Sequence, residues 1–210
     1  MDEKKHSYSG EGLEESNADA DPLRQFHRWF DDARAAGLPL PEAMTLATAN
    51  KDGRPSARLV LLKHADERGF VFYTNYGSQK ARELDANPQA ALVFYWPQLE
   101  RQVRIEGSVS RVSSSESDEY FQTRPRESQI GALASPQSEA ISGREVLQQR
   151  FEELAEFYRD REIARPDHWG GYRLRPERIE FWKGRPSRLH DRLLYELQPD
   201  GSWTIKRLAP

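Results

Sequence analysis

The sequence ends in Glu180-Phe181-Trp182-Lys183-Gly184, then Arg188-Leu189-His190-Asp191-Arg192 and finally Trp203-Thr204-Ile205-Lys206-Arg207-Leu208-Ala209-Pro210. These segments have the residue types of β-strands, although the terminal segments of soluble domains often fray. Because side chains alternate along a strand, the pattern predicts that Arg188, His190 and Arg192 project from one face. Three donor groups on one face suit a flat anionic ligand, and the solvated face of an edge strand is the alternative interpretation.

Composition narrows the classes of protein to consider. The chain has 210 residues, a formal net charge of −3 and no cysteine. This length suits one domain with a full core, and the charge gives no sign of a nucleic-acid surface. Without cysteine, disulfides, thiolate nucleophiles and Cys-ligated metals are excluded, so redox chemistry would need a bound organic cofactor. We expect a cytoplasmic protein that binds no nucleic acid, membrane or metal.

The pattern of polar and apolar residues predicts how the chain is organised. Residues 1–20 have almost no apolar content, which predicts a flexible N-terminal arm, and residues 21–210 are predicted to form one domain. Helices are predicted at 22–36, 79–86, 115–122, 125–134 and 143–158. Strands are predicted at 43–49, 56–64, 70–74, 90–96, 102–112, 171–174, 178–183, 188–197 and 202–208. Many strands with short turns favour a mainly β fold, an antiparallel barrel with peripheral helices.

Two segments near the middle of the chain carry candidate anion-binding groups. Strand 58–63 has Arg58 and Lys63 at its ends, which strict alternation places on opposite faces; ordinary strand-flanking charges are the alternative. The segment 73–80 runs from a strand through a glycine turn into a helix that Ser78 caps. A helix N-terminus with Lys80 beside it can bind phosphate, and plain N-capping is the alternative.

A further candidate anion site comes from Tyr120, Arg124 and Ser128, which recur at four-residue spacing. Pro125 places Ser128 in the first turn of a new helix, so a phenol, a guanidinium and a hydroxyl can converge on one anion. A polar helix face explains the spacing equally well. Gln102 on its strand and Gln137-Ser138 in a loop are weaker candidates for contact with a heterocycle.

Together these segments resemble the pyridoxine/pyridoxamine 5′-phosphate oxidase family of FMN enzymes, over almost the whole chain from about Tyr8. The most specific segments are Arg58-Leu59-Val60-Leu61-Leu62-Lys63, Phe72-Tyr73-Thr74-Asn75, Arg124-Pro125-Arg126-Glu127-Ser128-Gln129-Ile130-Gly131-Ala132, Gln137-Ser138, Ile179-Glu180-Phe181-Trp182 and Arg188-Leu189-His190-Asp191-Arg192. The resemblance implies an FMN-binding split β-barrel, antiparallel and Greek-key-like. It also implies a homodimer with FMN bound at the subunit interface.

The resemblance further implies three sets of site residues. The FMN contacts would be Arg58, Leu59, Val60, Leu61, Leu62, Lys63, Tyr73, Thr74, Gln79, Lys80, Gln102, Gln137, Ser138, Trp182 and Arg192. The substrate contacts would be Lys5, Tyr8, Lys63, Tyr120, Arg124, Ser128, Arg188, Leu189 and His190. Arg188 and His190 would be the catalytic pair against the substrate ring, with residues 5–8 as a lid.

Two positions depart from what the family usually has. Gln79 stands where relatives carry a basic residue, which removes one charge-assisted contact to the FMN phosphate. The arm reads Glu14-Glu15-Ser16 where relatives are often basic.

The function implied is oxidation of pyridoxamine and pyridoxine 5′-phosphates to pyridoxal 5′-phosphate by O₂. Hydrogen peroxide would be released, with ammonia from the amine. One alternative is an FMN oxidase of another ring substrate, such as a phenazine precursor. A non-catalytic module that binds FMN or pyridoxal phosphate is the second alternative, and a barrel without a ligand is the third.

Overall fold

The computed structural model describes Tyr8 and residues 12–210. This part of the chain contains nine β-strands and five α-helices. The strands are β1 (Ala43–Ala49), β2 (Pro55–Leu61), β3 (His64–Asp66), β4 (Gly69–Asn75), β5 (Gln89–Trp96), β6 (Arg101–Arg111), β7 (Trp169–Lys183), β8 (Asp191–Leu197) and β9 (Trp203–Arg207). The helices are α1 (Pro22–Ala35), α2 (Gln79–Ala86), α3 (Ser114–Thr123), α4 (Arg126–Ala134) and α5 (Arg144–Phe157).

All the strands join one antiparallel sheet in the order β2-β1-β5-β6-β7-β4-β3, and β8 and β9 extend it from β7. The sheet curls into a half-barrel because β7 has two partners along one edge. Residues 169–174 pair with β4, whereas residues 178–183 pair with β8. The helices lie at the periphery, as the sequence predicted.

β7 replaces the two separate strands that were predicted at 171–174 and 178–183. Its pairing with β6 shifts register between Glu106 and Gly107, which face Arg178 and Pro176 respectively, so one residue of β7 is extra. Such a bulge bends a strand without ending it. A Cβ on Gly107 would lie 2.0 Å from the carbonyl oxygen of Arg175, so the close approach requires glycine.

The strand predicted at 56–64 is divided, which changes where its cations lie. β2 pairs with β1, but Lys63 N donates to Val71 O of β4 at 2.9 Å. Alternation therefore does not run from Arg58 to Lys63, because the chain changes partners between them. The prediction of opposite faces assumed one unbroken strand, which the structure does not show, and both residues line the same cleft.

The segment before β8 corrects the prediction of a strand from residue 188. Pro186–Arg188 forms a 3-10 turn in which Ser187 and Arg188 have φ values of 57° and 61°. These left-handed conformations cannot continue a strand. Arg185 N donates to His190 Nδ1 at 3.1 Å and closes the turn. Arg188, His190 and Arg192 therefore do not share one face of a strand.

The core holds α1 and the N-terminal residues against the sheet. Asp21 caps α1 by accepting from Leu23 N at 2.8 Å, and the helix buries Phe26 fully in the main cluster. Of the predicted arm, residues 12–20 contact the sheet: Leu13 is buried, and its N–H donates to Asp191 Oδ2 at 3.1 Å.

No helix in the described part of the chain is long and apolar enough to cross a membrane.

Candidate cofactor and substrate site

A cleft of about 650 Å³ lies among β2, the end of β4, the start of α2 and the turn between α3 and α4. It brings together many of the predicted site residues: Arg58, Leu59, Val60, Leu61, Lys63, Tyr73, Thr74, Lys80, Tyr120, Arg124, Ser128 and Gln137. Four of these are cationic, and none of the described residues that line the cleft is an Asp or Glu. The cleft is therefore electropositive and suits an anionic ligand.

Lys80 is a buried cation in this cleft. Its residue is 9% exposed, and Nζ donates to Thr74 Oγ1 and Gln137 Oε1, each at 3.1 Å. Within the described residues it has no carboxylate as an ion-pair partner. Burial, with the like charge of Arg58, lowers the pKa of Lys80. A buried ammonium held only by neutral oxygens indicates a place for an anion.

Local sequence explains why Lys80 points into the cleft. Ser78 caps α2 by accepting from Ala81 N, so the helix begins where β4 ends. The free N–H groups and the positive end of the helix dipole therefore lie beside Lys80. Arg58 on β2 adds a second cation, whose Nη1 and Nη2 donate to Thr48 Oγ1 and Ser56 Oγ, each at 2.5 Å.

Arg124 lies in a second part of the cleft, against aromatic rings. Its Nη1 is buried and has no hydrogen-bond partner among the described residues. The guanidinium carbon lies 4.6 Å from the centroid of the Trp169 ring, and burial lowers the pKa of Arg124. Aromatic rings form this wall of the cleft: the ring centroid of Tyr73 lies 4.0 Å from that of Tyr120 and 5.3 Å from that of Trp169. This arrangement leaves a donor free to bind an anion.

The charge state of the wall is also set by burial. Burial, with the charge of Glu116, raises the pKa of Tyr73 to about 12, so its phenol is neutral. Its hydroxyl donates to the backbone carbonyl of Glu116 at 3.3 Å. α4 begins at Arg126, which places Ser128 in its first turn, as predicted.

A second group of predicted residues lies outside the cleft, and we call Tyr8, Trp182, His190 and Arg192 the C-terminal cluster. His190 is 4.7 Å from Trp182 and 5.2 Å from Tyr8 between ring centroids. Trp182 pairs with Arg192 on one side and with Gln102 on the other. Arg192 Nε and Nη2 donate to the buried carboxylate of Glu180 at 2.8 and 3.0 Å.

The remaining predicted residues do not line the cleft either. Arg188 and Leu189 are exposed beside the C-terminal cluster, and Leu62 is buried in the core. Gln79 donates to Glu83 Oε1 at 2.8 Å, and Ser138 follows Gln137 with a φ of 73°. Lys5 lies outside the described residues. Among the residues that the structure describes, a single chain therefore does not bring the two groups of predicted residues into one cleft.

Sequence reasoning missed several residues around the cleft: Thr48, Ser56, Asn75, Glu83 and Trp169. A signal existed for two of them. Thr48 and Ser56 face each other across the hairpin that turns at Asp52-Gly53, so its register would have paired them. Trp169 stands at a strand start, and nothing in its local sequence marks it.

Two family profiles match the chain. Residues 30–158 match the profile described as pyridoxamine 5′-phosphate oxidase, and residues 169–210 match that described as the pyridoxine 5′-phosphate oxidase C-terminal dimerisation region. The chain belongs to the pyridoxine/pyridoxamine 5′-phosphate oxidase family. The predicted family and the split-barrel fold are confirmed, and so is FMN as the cofactor.

Individual relatives cover nearly the whole chain. A pyridoxine/pyridoxamine 5′-phosphate oxidase of Trichormus variabilis is 61% identical over 97% of this chain and 95% of its own length. The protein of the same name from Burkholderia lata is 58% identical, over 97% of this chain and 96% of its own. Among solved structures, PhzG from Burkholderia lata in complex with tetrahydrophenazine-1-carboxylic acid has a TM-score of 0.91. It is 33% identical and covers 97% of this chain and 100% of its own.

Proposed function

We propose that this oxidase-family flavoprotein converts pyridoxamine and pyridoxine 5′-phosphates to pyridoxal 5′-phosphate. With the amine, O₂ and water are consumed, and ammonia and hydrogen peroxide are released. One observation carries the proposal: one cleft holds the buried ammonium of Lys80 and the half-buried guanidinium of Arg124, whose Nη1 is buried, and neither has a carboxylate partner among the described residues. They occupy separate surroundings, which suits two phosphates, one on the cofactor and one on the substrate.

The surroundings of Lys80 fit the phosphate of FMN. A buried ammonium, the Arg58 guanidinium and the N-terminus of α2 would hold the dianion, with Thr74 and Gln137 adding hydrogen bonds. Bound FMN supplies two-electron oxidation of the substrate and passes the electrons to O₂. Leu59, Val60 and Leu61 line the same cleft and give it an apolar side for a flat ring.

The surroundings of Arg124 fit the phosphate of the substrate. Its unpartnered Nη1 would donate to a phosphate oxygen, while Lys63, Tyr120 and Ser128 add a second cation and two hydroxyls. Holding the phosphate at one point restricts the position of the substrate ring, which lowers the entropy cost of the reaction.

The predicted residues outside the cleft support a homodimer in which the site is shared. Trp182, Arg188, Leu189, His190 and Arg192 all fall within residues 169–210, the match to the dimerisation region. We infer that a second copy brings its C-terminal cluster to the cleft. His190 Nδ1 accepts from Arg185 N at 3.1 Å, which leaves Nε2 as the ring nitrogen that carries a proton. That Nε2–H would be a donor to the substrate ring.

A phenazine-precursor oxidase is the second candidate, because the similar PhzG structure is a complex with tetrahydrophenazine-1-carboxylic acid. Two observations favour the vitamer. The chain is 58% identical to the oxidase of Burkholderia lata but 33% identical to PhzG of the same organism. The free donor of Arg124 also suits a substrate that carries phosphate.

The decisive experiment mixes the FMN-loaded protein with pyridoxamine 5′-phosphate in the absence of oxygen. We expect the visible flavin band to disappear and to return when air is admitted. Pyridoxamine without its phosphate should bleach the band far more slowly, since it lacks the group that Arg124 binds. A spectrum that pyridoxamine 5′-phosphate leaves unchanged would refute the proposed activity.

A further inference from the structure

The carboxylate of Glu83 is the centre of a buried hydrogen-bond network beside the cleft. The residue lies on α2 and is 8% exposed. Its Oε2 accepts from Thr48 Oγ1 at 2.5 Å and from Ser56 Oγ at 2.6 Å, and its Oε1 accepts from Gln79 Nε2 at 2.8 Å. Glu83 is not among the residues that line the cleft, so any effect on a ligand there passes through its neighbours.

The neighbour through which Glu83 acts is Arg58. The Thr48 and Ser56 hydroxyls that donate to Glu83 also accept from the Arg58 guanidinium, each at 2.5 Å. A hydroxyl has a single hydrogen, so donating it to the carboxylate turns its lone pairs toward the guanidinium. Arg58 Nη2 is also 3.4 Å from Glu83 Oε2, which adds direct charge attraction. The carboxylate orients the hydroxyls, and the hydroxyls orient the guanidinium.

We propose that Glu83 is a positioning residue for the phosphate subsite of the cleft. Through Thr48 and Ser56 it holds Arg58 in the orientation that binds a phosphate monoester. The inference rests on the proposed function, which places the FMN phosphate beside Arg58 and Lys80.

Gln79 contributes to the same arrangement. It lies one helical turn before Glu83, and its neutral amide donates a hydrogen bond to the second carboxylate oxygen. A cationic side chain at this position would form an ion pair with Glu83 in competition with Arg58. The amide therefore completes the hydrogen bonding of the carboxylate and leaves its charge directed at Arg58.

Two effects of Glu83 on a bound phosphate oppose each other. Its negative charge repels the anion, whereas the oriented guanidinium attracts it through charge-assisted hydrogen bonds. The carboxylate lies behind two hydroxyls and is already paired with Arg58, but the guanidinium itself lines the cleft. We expect the positioning effect to win, and the sign of the change on neutralising Glu83 distinguishes the two.

The test compares FMN with riboflavin, which has the same ring but no phosphate. Binding of each to the full-length apoprotein is followed by quenching of flavin fluorescence. Glu83→Gln keeps the size of the side chain and one oxygen that can accept from the two hydroxyls, but it removes the charge. We expect the affinity for FMN to fall about tenfold and that for riboflavin to stay the same, because only FMN uses the oriented Arg58.

Two further variants separate this inference from the proposed function. Arg58→Gln tests the phosphate subsite and should lower the preference for FMN over riboflavin by more than Glu83→Gln does. Glu153→Gln is a matched control, because Glu153 accepts from Gln149 Nε2 at 2.8 Å with the same four-residue spacing. That pair is exposed on α5, away from the residues that line the cleft, so the preference should not change.

The remaining outcomes contradict either the inference alone or the inference together with the proposed phosphate site. If Arg58→Gln lowers the preference for FMN and Glu83→Gln leaves it unchanged, the positioning role is wrong and the proposed phosphate site stands. A higher preference in Glu83→Gln also overturns the role, since repulsion would then dominate. If Arg58→Gln leaves the preference unchanged, the phosphate is not beside Arg58, and both the placement and the inference fail.

Discussion

The guanidinium of Arg124 packs over the ring of Trp169, 4.6 Å from its centroid, with one buried nitrogen that no described residue satisfies. A buried donor without a partner costs free energy unless a ligand supplies the acceptor. The stacking holds the guanidinium plane in place, so that donor is already positioned when the ligand arrives. Arg124 is therefore the residue whose loss should most clearly separate the two proposed phosphate sites.

Arg124→Ala should raise the KM for pyridoxamine 5′-phosphate by roughly 10- to 100-fold, the loss expected for a hydrogen bond to a charged group. The dissociation constant of FMN should change little, because the proposed site for its phosphate is formed by Lys80 and Arg58. Steady-state kinetics and fluorescence titration measure the two quantities. Arg159→Ala, at an exposed arginine beyond α5, serves as the control. Equal damage to FMN binding and KM would mean that Arg124 contacts the cofactor.

Lys80→Met should make the apoprotein more stable and should weaken the binding of FMN. Removal of a buried charge that lacks a carboxylate partner among the described residues should raise the free energy of unfolding by about 1 kcal/mol. The increase in Tm on adding FMN should nearly vanish, because the variant lacks the main proposed ligand of the FMN phosphate. Thermal unfolding with and without FMN measures both effects, and Lys51→Met in the β1–β2 turn is the exposed control. A full FMN-dependent increase in Tm would exclude Lys80 from the cofactor site.

Mixed dimers test whether the cleft and the C-terminal cluster of different copies form one site. The variant Arg124→Ala is co-expressed with His190→Ala, and activity is assayed at a substrate concentration far below the raised KM, where each variant alone is expected to show little activity. If each site uses Arg124 of one copy and His190 of the other, random pairing restores about a quarter of the wild-type sites. If both residues act within one chain, every site keeps a defect and no activity returns. Separately tagged copies allow the mixed dimer to be purified and assayed.

The left-handed turn before β8 provides a further test, because Ser187 has a φ of 57° without being glycine. Ser187→Gly accepts this conformation freely, so kcat/KM and Tm should stay close to wild type. Ser187→Val is β-branched and should shift the turn, which lowers kcat/KM about tenfold by displacing Arg188. Similar kinetics for the two variants would show that the geometry of this turn does not matter for the reaction.

Elements with local signals were predictable from the sequence. β1 and α2 have the predicted bounds, since a hairpin turn at Asp52-Gly53, a cap at Ser78 and Asn87-Pro88 mark their ends. Two features were not predictable: the division of 56–64 into two strands and the continuous strand over 169–183. Both depend on which neighbouring strand pairs with the segment. Pairing partners distant in sequence decide such cases, and a single segment does not carry that information.

The candidate site was likewise predictable only where a local motif marks its residues. The residue types around the cleft followed from motifs, as with Lys80 after Ser78 and Arg124 before Pro125. The predicted strand face of Arg188, His190 and Arg192 failed because two successive left-handed residues leave no mark in a pattern of alternation. Glu83 was missed because its role comes from facing Thr48 and Ser56, which are close only after β1 and β2 pair.

Glu83 also predicts how stability depends on pH. Burial raises its pKa, but hydrogen bonds from Ser56, Thr48 and Gln79 and the charge of Arg58 lower it by more, to about 2 from an ordinary 4.5. A carboxyl whose folded pKa is depressed stabilises the fold above its unfolded pKa, and this contribution is lost as the pH falls through the folded value. Glu83→Gln should therefore be less stable than wild type by about 3 kcal/mol at pH 7, and the difference should shrink between about pH 5 and pH 2. Denaturant unfolding across this range measures it, with Glu153→Gln as the exposed control. A difference that stays constant over the whole range would show that the ionised form of Glu83 is not what stabilises the network.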